Sequence, residues 1–239
     1  SDRKHVTVYG TYKGIPITAF NTGMGPASAS LTLPEVIEAC DDPNMVILRI
    51  GTCGAFRNYM EVGDFVITQD VDRAESTSDK IMPRKWLFGK RYEAITDEIM
   101  MAKLLCNAQR NKETFQQAYV GKTRVTNEAY FDALRSKYIL TGIPQKGIPE
   151  FSARKLKKLQ KKYAQILGVS MEFSVYCALR DKYNANFGKN IKVGNLLTVS
   201  DLVVERKNSI GIEELEARQP KVEEAQIITG LETLVSMSK

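Results

Sequence analysis

Arg49 closes an apolar run, Met45-Val46-Ile47-Leu48, and is followed by Ile50-Gly51-Thr52-Cys53-Gly54. A guanidinium at the end of a buried strand is costly to desolvate unless an anion or a carboxylate meets it. A bound oxyanion would satisfy that need, with Thr52 adding a hydroxyl and a backbone donor. A salt bridge within the fold would satisfy it as well. Upstream, Gly23-Met24-Gly25 can bring backbone amides close to a ligand, because glycine removes the side-chain barrier and the following helix adds donors at its start. The same glycines also suit a purely structural turn. Cys53 reads as a packed small residue rather than a nucleophile, since no histidine lies near it in sequence.

Two carboxylates stand at corresponding places further along. Glu172 follows the apolar run Ile166-Leu167-Gly168-Val169 and Met171, where it could accept from two sugar hydroxyls or simply face the dipole of a helix beginning there. Asp201 ends the run Thr198-Val199-Ser200, at a strand's carboxyl end or as a cap. Tyr130 and Phe131 could stack on a planar base or belong to the core. Each signal is weak alone; together they supply what glycosyl transfer to an anion needs.

These groups need a scaffold that brings strand ends together. Thr7 to Tyr9 and Ile15 to Asn21, around Lys13-Gly14, predict a hairpin leading into the glycine loop. Ala27 to Cys40 predicts a helix, and Met45 onward a strand buried on both faces, which makes a βαβ unit. Strands at 64–69, 118–125 and 190–200 alternate with helices at 96–109, 171–183 and 222–237. The expected fold is a single α/β domain over residues 1–239, with a mixed, mostly parallel central sheet flanked by helices and functional groups at strand ends.

The chain of 239 residues, 43% of them hydrophobic, is long enough to bury a full core. A net charge of +6 suits an anionic substrate and also plain solubility, so it decides nothing. Four scattered cysteines without a CxxC pair, and His5 as the one histidine, give no zinc spacing and favour a reducing, cytoplasmic setting. No apolar run approaches the roughly 20 residues of a membrane helix. The basic stretch 152–163, with Leu156, Leu159 and Tyr163 at helical spacing, reads as a solvated amphipathic helix rather than a nucleic-acid or membrane surface.

Taken in order, Gly10-Thr11-Tyr12-Lys13-Gly14, Gly23-Met24-Gly25-Pro26-Ala27-Ser28, Arg49-Ile50-Gly51-Thr52-Cys53-Gly54, Val169-Ser170-Met171-Glu172 and Val199-Ser200-Asp201 resemble the nucleoside phosphorylase-I family. The resemblance runs from about Arg3 to Asp201 and implies phosphorolysis of a nucleoside, with inorganic phosphate as co-substrate and no cofactor or metal. It implies that Arg49, Thr52 and Gly25 bind phosphate, with Arg3 lent across an interface of a homo-oligomer, dimers assembled into a hexamer. Met24, Met171 and Glu172 would hold the ribose. Cys53, Gly54, Tyr130, Val169 and Ser200 would border the base, and no nucleic acid or membrane partner is implied. Asp201 resembles the acid that purine-cleaving members use at N7, with Arg218 as its assisting arginine and Arg206 as second candidate.

The chain departs from the family pattern in three places. It begins after the family's usual first strand and phosphate loop, it carries Ser170 where a second acid is usual, and its 132–166 stretch is longer and more basic. Asp132-Ala133-Leu134-Arg135 does not reproduce the glutamine and arginine pair of uridine phosphorylases, which favours a purine. Uridine phosphorylase, methylthioadenosine phosphorylase and a non-catalytic nucleoside-binding homologue are the alternatives.

Overall fold

The computed structural model describes residues 6–83, 92–204 and 212–238, with the side chains of 129–130 and 212–215 left aside. It opens with a hairpin of β1 (Thr7–Tyr12) and β2 (Ile15–Phe20). Its two-residue turn puts Lys13 at φ 49° and Gly14 at φ 81°, the twist that tight hairpins favour. The ribbon is largely exposed and is tied to the rest through Glu232, which accepts from Tyr12 Oη at 2.8 Å and pairs with Lys13.

The remaining strands are β3 (Val46–Ala55), β4 (Phe65–Arg73), β5 (Ala118–Val125), β6 (Ile166–Ser170) and β7 (Lys192–Leu202), and they close into a barrel in the order β3-β6-β5-β4-β7. β3–β7, β4–β5 and β5–β6 pair in parallel, as the alternation of strands and helices predicts. β3–β6 and β4–β7 pair antiparallel, and these two seams close the sheet, which the linear pattern does not announce. The β3–β6 seam is short and tight: a Cβ on Gly168 would lie 2.7 Å from the carbonyl oxygen of Gly54.

Helices surround the barrel. α1 (Gly25–Ala39), with Pro26 in its first turn, packs through Ala29, Leu33 and Ile37 against α6 (Phe173–Asn186). α3 (Glu98–Asn111), capped by Asp97, and α7 (Ile212–Met237) cover β4 and β7, where Met100 and Leu104 meet Phe65, Ile67 and Leu196. α2 (Thr77–Ile81) is a single short turn after β4. Cys53, Ala55, Met60, Val66, Leu197 and Val199 form a further apolar cluster.

α4 (Ala129–Thr141) is a helix where the sequence shows only a pair of aromatics, and it ends at Gly142 with φ 75°. α5 (Ala153–Tyr163) is the predicted basic helix, with Ser152 capping the N–H of Lys155. Its lysines are mostly exposed, while its end is docked. Tyr163 is buried and stacks on Phe56 with centroids 5.7 Å apart, Lys162 pairs with Asp72 at 2.6 Å, and Arg57 donates to the carbonyls of Tyr163 and Ile166. These contacts fit a surface helix fastened by its last turn.

Candidate active site

The glycine loop, the end of β6 and the middle of β3 meet at one carboxylate. Glu172 stands one residue before α6 and is 6% exposed. Its Oε1 accepts the N–H of Gly25 at 2.9 Å, and its Oε2 takes Nη2 of Arg49 in a buried ion pair. The salt bridge open to Arg49 and the helix-start position open to Glu172 are thus one arrangement: the carboxylate that meets Arg49 is the one that starts a helix. Gly25 has φ +86°, a backbone that other residues rarely adopt, and a Cβ there would sit 3.8 Å from Met171 Cε. The loop therefore lies directly against the Met171-Glu172 turn, while Met24 is 81% exposed.

Arg49 is held from behind as well. Its Nη1 donates to Asn195 Oδ1 at 3.1 Å. Its guanidinium folds over the next residue of the same strand face, so a Cβ on Gly51 would meet it at 2.8 Å. Tyr176 lies nearby, with its hydroxyl 3.4 Å from Thr22 Oγ1; burial pushes its phenol up, and the charge of Arg49 pulls against that.

Asp201 reaches the same neighbourhood from β7 by an irregularity. The β3–β7 register runs Cys53↔Val199 and then Gly54↔Asp201, so Ser200 is an extra residue in the strand. Such a bulge re-aims the residue after it. Asp201 is exposed and accepts from Ser200 Oγ at 2.7 Å, and its Oδ2 occupies the space where a Cβ on Gly54 would be, 2.8 Å away. Thr52 shares that face of β3 by alternation; it is exposed, and its hydroxyl has no hydrogen bond among the described residues. Arg49 lies on the opposite face with Gly51 and Cys53, so the two charged groups flank β3. Burial first and the Asp201 charge second push the Cys53 thiol up to about 12, with Arg49 opposing. A thiol held there is no nucleophile at neutral pH, in line with its reading as a packing residue.

Val169 faces Gly54 across the β3–β6 seam, at the edge of this group. Arg218 is on α7, with its guanidinium 4.5 Å from the Phe115 ring centre. Arg3 and Arg206 lie outside the described residues, as does the side chain of Tyr130. Phe131 is 54% exposed on α4. It borders a cavity of about 730 Å³ shared by Arg124, Glu128, Arg135 and Phe151. Asn195 and Tyr176 are the neighbours that sequence reasoning missed. A lone amide inside the apolar run 191–200 was the available signal for the first.

A family profile described as the phosphorylase superfamily matches residues 1–234. The chain belongs to the phosphorylase superfamily. It is accordingly a pentosyl-transferring enzyme. Among curated relatives, a purine nucleoside phosphorylase DeoD-type from Oceanobacillus iheyensis is 28% identical over 196 residues, 82% of this chain and 68% of the relative. A guanosine phosphorylase from Halorubrum lacusprofundi is 29% identical over 131 residues, 55% of this chain and 49% of the relative. A uridine phosphorylase from Thermococcus kodakarensis is 34% identical over 76 residues, 32% of this chain and 26% of the relative. Among the described residues, no helix of this superfamily member is long and apolar enough to cross a membrane, and no cluster of His, Cys, Asp and Glu could hold a metal ion.

Proposed function

We propose that this enzyme splits a purine nucleoside with inorganic phosphate, releasing the free base and ribose 1-phosphate. The observation that carries this reading is the buried Arg49–Glu172 pair beside the Gly25 amide, with Asp201 on the neighbouring strand. Arg49 holds the phosphate, and Thr52, whose side chain lies on the other face of β3, contributes its backbone N–H. Glu172 accepts from the ribose hydroxyls, with Met24 and Met171 against the sugar. A phosphate oxygen bonds to the anomeric carbon as the bond to the base nitrogen breaks and its electron pair passes to the base. Asp201 gives a proton to N7, so the purine leaves neutral while the sugar carries the developing positive charge. Positioning and electrostatics supply the acceleration; no covalent enzyme intermediate and no cofactor is required.

Asp132 and Arg135 support the purine over the uridine alternative. Asp132 clamps Arg124 with two contacts, 2.8 and 3.0 Å, and Arg135 lies 5.6 Å from the Phe151 ring centre. Both residues thereby hold α4 and its neighbours rather than a pyrimidine edge. The likeness to a uridine phosphorylase keeps uridine as the second reading. We take the working unit to be a homo-oligomer in which Arg3 completes a neighbour's phosphate site.

The test is chromatography of free base and ribose 1-phosphate after incubation with inosine, adenosine, guanosine, methylthioadenosine or uridine, each with and without phosphate. Phosphate-dependent purine release that is lost in Asp201→Asn and Glu172→Ala is expected. Cleavage of uridine alone would overturn the purine assignment, and phosphate-independent cleavage would overturn phosphorolysis.

A further inference from the structure

Behind Arg49 runs a polar chain that the mechanism above does not use. Asn195 on β7, Thr68 on β4 and Thr123 on β5 are each fully buried. Asn195 Oδ1 accepts from Arg49 Nη1 at 3.1 Å, its Nδ2 donates to Thr68 Oγ1 at 2.7 Å, and the Thr68 and Thr123 hydroxyls pair at 3.1 Å. Apolar residues of similar volume would fill this space without the desolvation that three buried polar side chains incur. The chain also has a direction. Because an arginine can only donate, Asn195 must turn its oxygen to Arg49 and its NH2 to Thr68, so the two threonines on other strands fix the amide.

An arginine beside a carboxylate favours the two-pronged contact in which both carboxylate oxygens are taken. That contact is not made here: Glu172 gives one oxygen to Arg49 and the other to the Gly25 N–H. We propose that Asn195 is a positioning residue that holds the Arg49 guanidinium in this one-armed contact and so keeps its remaining N–H groups available to phosphate. Without it, the guanidinium turns onto Glu172, displaces the Gly25 amide and withdraws from the anion. The acceptor must be neutral, since a carboxylate at the same place would compensate the charge that phosphate is meant to meet. This rests on the reading of Arg49 as the phosphate-binding group.

The experiment compares Asn195→Leu, Asn195→Asp and Thr68→Val with Arg49→Lys as reference, reading KM for phosphate, kcat, and nucleoside affinity without phosphate. Losing a hydrogen bond to a charged group predicts a rise in phosphate KM of about tenfold or more for Asn195→Leu, with a smaller loss of nucleoside affinity as Arg49 takes the second oxygen of Glu172. Asn195→Asp keeps the shape and an acceptor and raises the phosphate KM by more than it weakens nucleoside binding, a selectivity that a general disturbance of the fold does not predict. Thr68→Val moves it less, in the same direction, and serves where Asn195→Leu does not fold. A normal phosphate KM in Arg49→Lys removes the phosphate assignment, and this proposal with it. A raised value there together with a normal one in folded Asn195→Leu, or Asn195→Asp indistinguishable from the parent, overturns the role of Asn195 alone.

Discussion

Gly54→Ala puts one methyl group where Asp201 sits. The added carbon would lie 2.8 Å from Asp201 Oδ2 and 3.2 Å from Val203 Cγ2, so the carboxylate must retreat by about half an ångström or more to reach ordinary van der Waals separation. Asp201 is exposed and its side chain can turn aside, so the fold is expected to absorb the change within about 1 kcal/mol, helped by the lower conformational freedom of alanine in a strand. On the proposed mechanism, proton transfer from Asp201 to the base cannot absorb it in the same way. Misplacement by ~1 Å costs a catalytic group on the order of a hundredfold, so a tenfold to hundredfold loss of kcat/KM, about 1.4 to 2.7 kcal/mol, is expected.

The assay is steady-state phosphorolysis of inosine beside an N7-methylated purine nucleoside, whose base already carries the positive charge that protonation would supply. Gly54→Ala and Asp201→Asn should slow inosine cleavage and leave the methylated substrate nearly untouched. The two changes act on one group, so the double variant should be no slower than Asp201→Asn alone. Inosine cleavage by folded Gly54→Ala within about twofold of the parent would refute the reasoning, and so would additivity of the two losses.

Gly168→Ala meets backbone rather than a movable side chain, 2.7 Å from the Gly54 carbonyl, and should lower stability by about 1–3 kcal/mol in chemical denaturation; an unchanged midpoint would contradict the tight β3–β6 seam. Iodoacetamide at neutral pH should label exposed Cys106 in the native protein and spare buried Cys53 and Cys177, whose thiols are both pushed up to about 12, as mass spectrometry of tryptic peptides would show. Burial works to raise the Asp72 carboxyl, but the Lys162 hydrogen bond and the charge of Arg124 outweigh it and hold the group below the usual carboxylate range. The stability this gives is fully present above the unfolded-state pKa near 4 and is lost as pH falls through the lower folded value. Asp72→Asn should therefore flatten the acid limb of the stability curve, and an unchanged limb would count against the pairing.

The hairpin at Lys13-Gly14 and the strand 118–125 were legible because turn chemistry and apolar runs are local signals. α4 was not: its apolar residues fall on every side, and Glu128 before it makes no side-chain cap. α7 begins ten residues earlier than the expected 222–237, and Pro220 lies inside the helix. The candidate site was legible as separate pieces. Local sequence could not pair Glu172 with both Arg49 and Gly25, 123 and 147 residues away, and so it left a bound anion or a salt bridge open for Arg49 and sugar hydroxyls or a helix dipole open for Glu172. Barrel closure was hidden for the same reason, because each antiparallel seam joins strands far apart in the chain.

Closure and the proposed chemistry depend on the same stretch of β3. The antiparallel seam sets Gly54 against Val169, three residues before Glu172, while the parallel pairing sets it against Asp201. Regular alternation would put Asp201 on the face of Val199, inside the apolar cluster with Cys53 and Leu197. One extra residue, Ser200, turns it to the face of Gly54, where the missing side chain leaves room for a carboxylate and the Ser200 hydroxyl steadies it. A strand that had to pack, pair and present an acid in strict alternation could not do all three. The bulge separates the packing of Val199 from the presentation of Asp201, so β7 can bury its length in the barrel and still end in a group that reaches solvent.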